Sequence, residues 1–286
     1  MAADRSERHG LGVLLTTASA LAYSTAGFFT RLIHLDAWTL LFWRGIFAGF
    51  FIASFMVWQN RRGTLAGIRA IGGAGLVAAA LSALATILFI NAFRRTSVAD
   101  VTIIFATAPF ATAAIGWLWI GEREAWTTLA ASTAALVGVV IMVGGAFREG
   151  RLLGDLLAFG MTLCMALMMV IIRKHRDTPM LPAAALSAFL CSLAVSPLAR
   201  PGAVAPAEFA YLALFGTTQF GLGLLLLTLG TRLISATESA LISALEAPLA
   251  PAWVWLAFKE VPPLATFAGG AIVMAAVSAH ILASRR

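Results

Sequence analysis

The chain has 286 residues, of which 60% are hydrophobic and only 12% are charged. Soluble domains are usually about 45–50% apolar and about 25% charged, so this composition excludes an ordinary soluble protein and indicates a polytopic membrane protein. The formal net charge of +7 does not indicate nucleic-acid binding. The basic residues lie in short loops between apolar segments, as signals of membrane topology do.

Breaks between the apolar runs predict ten transmembrane helices, because a helix needs about 20 apolar residues to cross the hydrocarbon core. The predicted spans are 11–33, 37–58, 66–93, 97–120, 125–146, 152–172, 180–199, 207–230, 234–257 and 263–283. The first ten residues are polar and carry no cleavable signal, so we expect the first span to stay in the protein. The larger share of Lys and Arg lies on the side of the N-terminus, which predicts that both termini are cytoplasmic.

The two halves of the chain resemble each other. The run that begins at Gly12 matches the run that begins at Gly154, and residues 97–109 match residues 236–248. Each half holds five predicted spans, and an odd number inverts the second copy relative to the first. The sequence therefore predicts an all-α membrane fold of two inverted five-helix repeats, 11–146 and 152–283, with a site where they meet.

Short motifs recur at equivalent places in the two halves. They are Asn91–Asp100, Ala108-Pro109 and Ile120–Glu122 in the first half, and Gly230–Glu238, Ala244–Pro248 and Trp255–Glu260 in the second. With these motifs the chain resembles ten-helix members of the drug/metabolite transporter superfamily that have two EamA-type repeats. It departs from the pattern where Ala247 separates the Glu from the Pro, and where Lys259 replaces a glycine.

The resemblance implies a secondary transporter that works by alternating access between the repeats. It is similar to the bacterial exporters of aromatic and neutral amino acids, which implies a small-molecule substrate, an inner-membrane location and membrane lipids as surroundings. Two other classes stay open, a membrane enzyme acting on a lipid-linked substrate and a sensor that transports nothing. The sequence shows no ATP-binding motif, no cofactor or metal spacing and no nucleophile–base constellation, so we expect no ATPase subunit and no catalytic residues.

Glu246 is the leading candidate for the mechanism, because an ionisable group at membrane mid-depth is costly unless a partner, water or substrate compensates it. With helical spacing, Ser239, Ser243, Glu246 and Trp253 share a face that could line a polar cavity. Glu246 would then bind a substrate ammonium or carry a proton. The alternative is a structural role, such as an ion pair with Arg44, which in turn either binds a substrate carboxylate or ties helices together.

Other polar and kinked positions complete the candidate site. Pro109 and Pro248 are repeat-related and should break their helices, each leaving a carbonyl without its usual donor. These prolines are candidates for kinks or gates. The remaining substrate-binding candidates lie in the predicted spans, and for the polar ones the alternative is a helix–helix hydrogen bond. They are Tyr23, Ser24, Phe105, Thr107 and Gln219.

Overall fold

A computed structural model describes residues 2–59, 71–93, 95–96, 98–143, 152–259 and 261–284. Residues 60–65 and 147–151, which belong to two predicted connections between spans, lie outside this part of the chain. The described residues form helices and connecting turns, with no strand among them.

Nine helices in the described ranges are long and apolar enough to cross a membrane. They are Glu7–Leu32, Ala37–Gln59, Gly72–Ala92, Asp100–Ile120, Trp126–Val143, Leu152–Lys174, Glu208–Thr231, Ala236–Phe258 and Leu264–Ser284. We number them spans 1–6 and 8–10 in chain order and keep the number 7 for the shorter apolar helix Leu181–Val195. The chain is a multi-pass membrane protein.

Helix 7 is shorter than the sequence predicts. It has 15 residues, Leu181–Val195, and at 1.5 Å per residue it is about 22 Å long, less than the hydrocarbon core of about 30 Å. The prediction placed a full span over 180–199. The helix ends early because a turn follows it that contains Pro197, and proline lacks the N–H that would continue the ladder.

Spans 4 and 9 are interrupted in the same way. Span 4 consists of helices Val98–Phe105 and Ala108–Ile120, and span 9 of helices Ala236–Ser243 and Glu246–Phe258. In both spans an 8-residue helix is followed by a 13-residue helix. The two halves of the chain therefore repeat this broken-helix unit in structure as well as in sequence.

The repeat-related prolines stand at these interruptions. Pro109 lies in the first turn of Ala108–Ile120, where its missing N–H costs little. Pro248 is the third residue of Glu246–Phe258, and the carbonyl of Ala244 accepts a hydrogen bond from the N–H of Ala247 at 3.2 Å instead. At both places the α-helical ladder is interrupted by a turn in which N–H groups bond to the carbonyl three residues back, and the backbone keeps right-handed helical angles.

Two further spans are irregular near their middle. Span 1 is divided at Thr25 into Ala2–Ser24 and Ala26–Leu32. Span 8 contains a π-helical segment, Phe215–Gly221, between Pro206–Leu214 and Leu222–Thr231. Such π-helical segments are rare and frequent at functional sites. Their counterparts by position in the repeat, spans 6 and 3, each form one helix, Leu152–Lys174 and Gly72–Phe93.

The two halves interdigitate in symmetric pairs. Span 1 packs on span 8, and its counterpart span 6 packs on span 3. Span 2 packs on helix 7, and span 5 on span 10. If each span is replaced by its counterpart in the other half, the pair of spans 1 and 8 becomes the pair of spans 6 and 3. The pair of span 2 and helix 7 and the pair of spans 5 and 10 stay the same. The most extensive helix packing therefore joins the two halves.

Glycines bring spans 5 and 10 together. A Cβ atom placed on Gly138 would lie 2.7 Å from the carbonyl oxygen of Gly269, and a Cβ on Gly269 would meet the carbonyl oxygen of Gly138. The two backbones therefore touch, as small residues permit in membranes. These glycines therefore pack two helices of the same chain against each other.

Candidate functional site

A polar chain crosses the centre of the helix bundle. Arg44 in span 2 donates from Nη1 to Oε1 of Gln219 at 3.5 Å, and Nε2 of Gln219 donates to the carbonyl oxygen of Tyr23 at 3.3 Å. Gln219 belongs to the π-helical segment of span 8. Three elements, spans 1, 2 and 8, thus direct polar groups to one place at mid-depth.

The guanidinium of Arg44 is enclosed by aromatic rings. Its Cζ atom lies 4.3 Å from the ring centre of Phe220 and 5.5 Å from that of Phe215. The side chain is buried, and Nε has no hydrogen-bond partner within the described part of the chain. Because the guanidinium reaches Gln219, Arg44 does not extend outward to the membrane surface.

A side chain of span 9 forms a hydrogen bond to the break in span 1. Ser24 donates to the carbonyl of Leu21 at 2.7 Å, and Thr25 donates to the carbonyl of Ala22 at 2.6 Å. Trp253 in span 9 donates from Nε1 to Oγ of Ser24 at 2.9 Å. Ser24 is therefore a buried junction between two interrupted spans, and Trp253 holds it.

Glu246 is the first residue of the second helix of span 9, so its carboxylate stands at a helix N-terminus inside the membrane. The positive end of the helix dipole favours a negative charge there. The residue is partly exposed, and among the described residues no hydrogen bond or ion pair engages its carboxylate. It interacts electrostatically with Arg44 and Tyr23, without the direct ion pair to Arg44 that the sequence suggested.

The serines of span 9 precede the interruption of that span. Ser239 and Ser243 belong to helix Ala236–Ser243, and Glu246 and Trp253 belong to helix Glu246–Phe258. Ser239 is fully buried, and Ser243 donates to its carbonyl at 2.8 Å. Ser243 itself is partly exposed and stands three residues before Glu246.

Phe105 and Thr107 flank the break in span 4. Thr107 donates to the carbonyl of Ile104 at 2.6 Å, and Phe105 packs into the apolar clusters beside span 6. Ala106 belongs to the same buried cluster as Ala244 and Leu245, which form the break in span 9. The structure thus brings the two breaks to a common apolar centre.

A buried carboxylate with two histidines lies on the face at which span 1 begins, called the N-terminal face below. Nε2 of His9 lies 3.0 Å from Oε2 of Glu238, and Nε2 of His280 lies 3.3 Å from its Oε1. Glu238 also lies in the first turn of its helix, where an acid complements the positive helix N-terminus. The histidines come from spans 1 and 10, 229 residues before and 42 residues after Glu238 in the chain, so no local pattern could reveal them.

Glu124 extends this group on the N-terminal face. Ser235 donates to Oε2 of Glu124 at 3.1 Å, and the same hydroxyl oxygen accepts from the backbone N–H of Glu238 at 3.1 Å. Burial raises the pKa of Glu124 above its ordinary value, and the nearby charges of Glu122 and Glu238 add to the rise against the hydrogen bond from Ser235. Nearby, Glu122 forms an ion pair with Arg173 at 3.0 Å.

A second acidic group joins the halves where spans 4 and 6 begin. Oγ1 of Thr96 lies 2.7 Å from a carboxylate oxygen of Asp155 and 3.0 Å from one of Asp100. By repeat position, the starts of spans 4 and 6 correspond to the starts of spans 9 and 1, where Glu238 and His9 meet. Asp100 lies in the first turn of its helix, where an acid complements the positive helix N-terminus.

In the ranges that the structure describes, no residues are arranged to bind a metal ion or to form a disulfide. No group of three or more His, Cys, Asp or Glu side chains there is placed to hold a metal ion. Cys164 and Cys191 are both free thiols.

Comparisons with known proteins address the fold and the family. A solved structure titled "Crystal structure of protein" is similar to this chain, with a TM-score of 0.81 and 17% sequence identity over 96% of this chain and 99% of the other. At this identity the similarity shows the fold alone. No protein of curated function matches the sequence.

The family model described as "EamA-like transporter family" matches residues 10–144 and again residues 152–281. These two matches cover most of the chain and coincide with its two halves. Members of the family are transporters of small molecules in membranes. The chain therefore belongs to the EamA-like transporter family, in the drug/metabolite transporter superfamily.

Proposed function

We propose that the protein is a secondary transporter that exports aromatic or neutral amino acids or similar small metabolites. Transport proceeds by alternating access between two inverted five-helix repeats in the inner membrane of a bacterium, with both termini cytoplasmic. The observation that carries this proposal is the carboxylate of Glu246, held at a helix N-terminus in mid-membrane with no bonded partner among the described side chains.

A carboxylate in this position needs compensation, because a charge within the membrane is costly. Membrane transporters place substrate sites at broken helices near the bilayer midplane, where repeats meet. Glu246 stands at such a break, and Arg44 provides an opposite charge nearby without neutralising it directly. A substrate ammonium bound to Glu246 would supply the missing partner.

The symmetric packing of the halves supports the inverted arrangement. Helix 7 packs on span 2 in the same way as span 5 packs on span 10. We therefore assign helix 7 as a membrane crossing as well, despite its 15 residues, which brings the number of crossings to ten. Five crossings in each half then require opposite orientations of the two repeats. In this arrangement the groups around Glu238 and Thr96 close opposite faces, and opening one face while the other stays closed gives alternating access.

The remaining candidates surround Glu246 in this proposal. Tyr23, Ser24, Gln219 and Trp253 form the polar wall contributed by spans 1, 8 and 9. Phe105, Thr107, Ser243 and the buried Ser239 contribute from the two breaks, and Pro109 and Pro248 are the hinges. The protein acts without a cofactor, an ATPase subunit or nucleic acid, and its other contacts are membrane lipids.

Flux into proteoliposomes tests the proposal. Labelled amino acids and nucleosides are offered to wild type, Glu246→Gln and Glu208→Gln, with and without an imposed pH gradient. Glu208 is a matched control, because it is also an acid in the first turn of a helix, Pro206–Leu214, yet lies at the start of its span. We expect flux of amino acids in wild type and Glu208→Gln, and loss of flux in Glu246→Gln.

The outcomes separate the parts of the proposal. Flux that depends on the pH gradient identifies proton coupling, and flux without such dependence identifies transport down the substrate gradient. Equal flux in wild type and Glu246→Gln would remove the glutamate from the transport path. Absence of flux for every amino acid, from protein shown to be folded, would contradict the assigned substrate class.

A further inference from the structure

Arg44 carries a buried positive charge that the protein itself leaves uncompensated. Only 8% of the residue is exposed, and no ion pair joins it to a carboxylate in the described part of the chain. Its Nε atom is buried without a hydrogen-bond partner. Burying a charge without pairing costs several kcal/mol or more, so a group of this kind calls for an anion from elsewhere.

The surroundings of Arg44 orient the guanidinium and do not neutralise it. The amide of Gln219 is fixed by its bond to the carbonyl of Tyr23, which leaves its oxygen to accept from Nη1 of Arg44 at 3.5 Å. The rings of Phe220 and Phe215 pack against the guanidinium. An arginine has five N–H donors, and the structure accounts for only one bond to a neutral acceptor.

Arg44 and Glu246 are complementary to a zwitterion. The two side chains interact electrostatically, but no direct ion pair joins them. Tyr23 interacts with both charges and is linked through its carbonyl to Gln219. A ligand with a carboxylate at one end and an ammonium at the other would compensate both charges, and the planar guanidinium matches a carboxylate with two parallel hydrogen bonds.

We propose that Arg44 is the anion anchor of the substrate site, binding the substrate carboxylate while Glu246 binds the ammonium. This inference rests on the proposed function and narrows its substrate class to compounds that carry both groups. Arg44 then determines specificity, because an analogue whose carboxylate is neutralised leaves the buried guanidinium unpaired. The loss of a charge-assisted hydrogen bond corresponds to at least about tenfold in flux at low substrate concentration.

The test compares three probes that differ only at the carboxylate, namely phenylalanine, its primary amide and 2-phenylethylamine. Flux of each into proteoliposomes is measured for wild type, Arg44→Gln, Arg44→Lys and the control Arg200→Gln. Arg200 is exposed in the connection between helix 7 and span 8, and its backbone N–H donates to Oγ1 of Thr39 in span 2 at 2.9 Å. Size-exclusion elution and thermal unfolding in detergent report whether each variant folds.

We expect wild type and Arg200→Gln to carry phenylalanine at least about tenfold faster than the amide or the amine. In Arg44→Gln that ratio should fall towards one. Arg44→Lys should give an intermediate ratio, because lysine keeps the charge and loses the two-pronged geometry. A purely structural Arg44 would lower the flux of all probes together and leave the ratio unchanged.

Two results would overturn the assignment of Arg44 while leaving transport intact. One is equal flux of phenylalanine and its amide in wild type, and the other is an unchanged ratio in Arg44→Gln. If Arg44→Gln fails to fold, the assignment is judged from the ratio of phenylalanine flux to amide flux in wild type and in Arg44→Lys. Absence of flux for all three probes would instead contradict the proposed substrate class, and the assignment of Arg44 would fall with it.

Discussion

Nε1 of Trp253 lies 2.9 Å from Oγ of Ser24, and this hydrogen bond joins the break in span 1 to the second helix of span 9. Around it, Phe28 packs against Phe258 with ring centres 5.8 Å apart. A Cβ on Gly27 would lie 3.4 Å from a methyl group of Val254. The segments that follow the breaks in spans 1 and 9 therefore form one unit across the two halves.

Trp253→Phe and Ser24→Ala, alone and together, measure this junction. Interhelical hydrogen bonds in membranes average about 0.6 kcal/mol, with a maximum of about 1.7 kcal/mol. We expect each single variant to lose stability and the double variant to lose less than the sum, with a coupling energy in that range. Unfolding in mixed micelles gives the free energies, and strictly additive losses would show that the bond contributes nothing.

The contact between spans 5 and 10 predicts a strong effect of a single methyl group. In Gly269→Ala the added Cβ meets the carbonyl oxygen of Gly138 and lies 2.7 Å from Cγ of Met142, so the helices must separate. We expect a clear fall in the thermal unfolding temperature. Gly116→Ala is the matched control, because a Cβ there meets no atom within 4 Å, and alanine favours a helix by up to about 1 kcal/mol. Equal effects of the two substitutions would contradict the close approach.

Much of the fold follows from composition and repetition. The length of the apolar runs predicts nearly every span. In a bilayer the backbone polar groups must be hydrogen-bonded within the protein, and an apolar run does this by forming a helix. Repeated Ala-Pro and Glu motifs predict the two halves, which the family match confirms. Helix 7 falls short of the predicted 180–199, since apolar composition marks where a helix is possible and a following turn decides where it ends.

Less of the candidate site than of the fold could be predicted from the sequence. Glu246, Arg44 and Gln219 stand out because polar side chains are rare in apolar runs. The common cavity face of Ser239 and Glu246 stays a prediction, because the interruption of span 9 lies between these two residues. The contacts of His9 and His280 with Glu238 and of Trp253 with Ser24 join residues 42 to 229 positions apart, and only tertiary packing brings such residues together.

Glu124→Gln should stabilise the protein at neutral pH. Burial raises the pKa of Glu124 in the folded protein above its ordinary value. An acid with a raised folded pKa costs stability as the pH rises through and above the unfolded value, because the folded state then holds a disfavoured charge. Glutamine removes that cost and still accepts the bond from Ser235.

The thermal unfolding temperatures of wild type and Glu124→Gln, measured from acidic to neutral pH, check this prediction. The stabilisation should be greatest at neutral pH and should shrink towards acidic pH, where wild-type Glu124 is protonated in both states. A variant that is less stable than wild type at neutral pH would contradict the predicted sign.

Glu238→Gln should destabilise the protein. Glu238 is buried, and His9 and His280 contact its carboxylate from spans 1 and 10. Hydrogen bonds to a charged group contribute about 1.5–3 kcal/mol, and glutamine offers one oxygen where the carboxylate offers two. Chemical unfolding should show a loss of that order, with Glu208→Gln as the control. A loss no greater than that of the control would show that the two histidines do not stabilise this end of the bundle.

The central claim is that substrate binds at Glu246, and carbodiimide labelling followed by peptide mass spectrometry tests it directly. The reagent modifies accessible carboxyl groups inside membranes, and labelling is measured with and without saturating phenylalanine. We predict that phenylalanine protects Glu246 and leaves the labelling of Glu208 unchanged. Labelling of Glu246 that proceeds equally with and without phenylalanine, in protein that transports it, would contradict the claim.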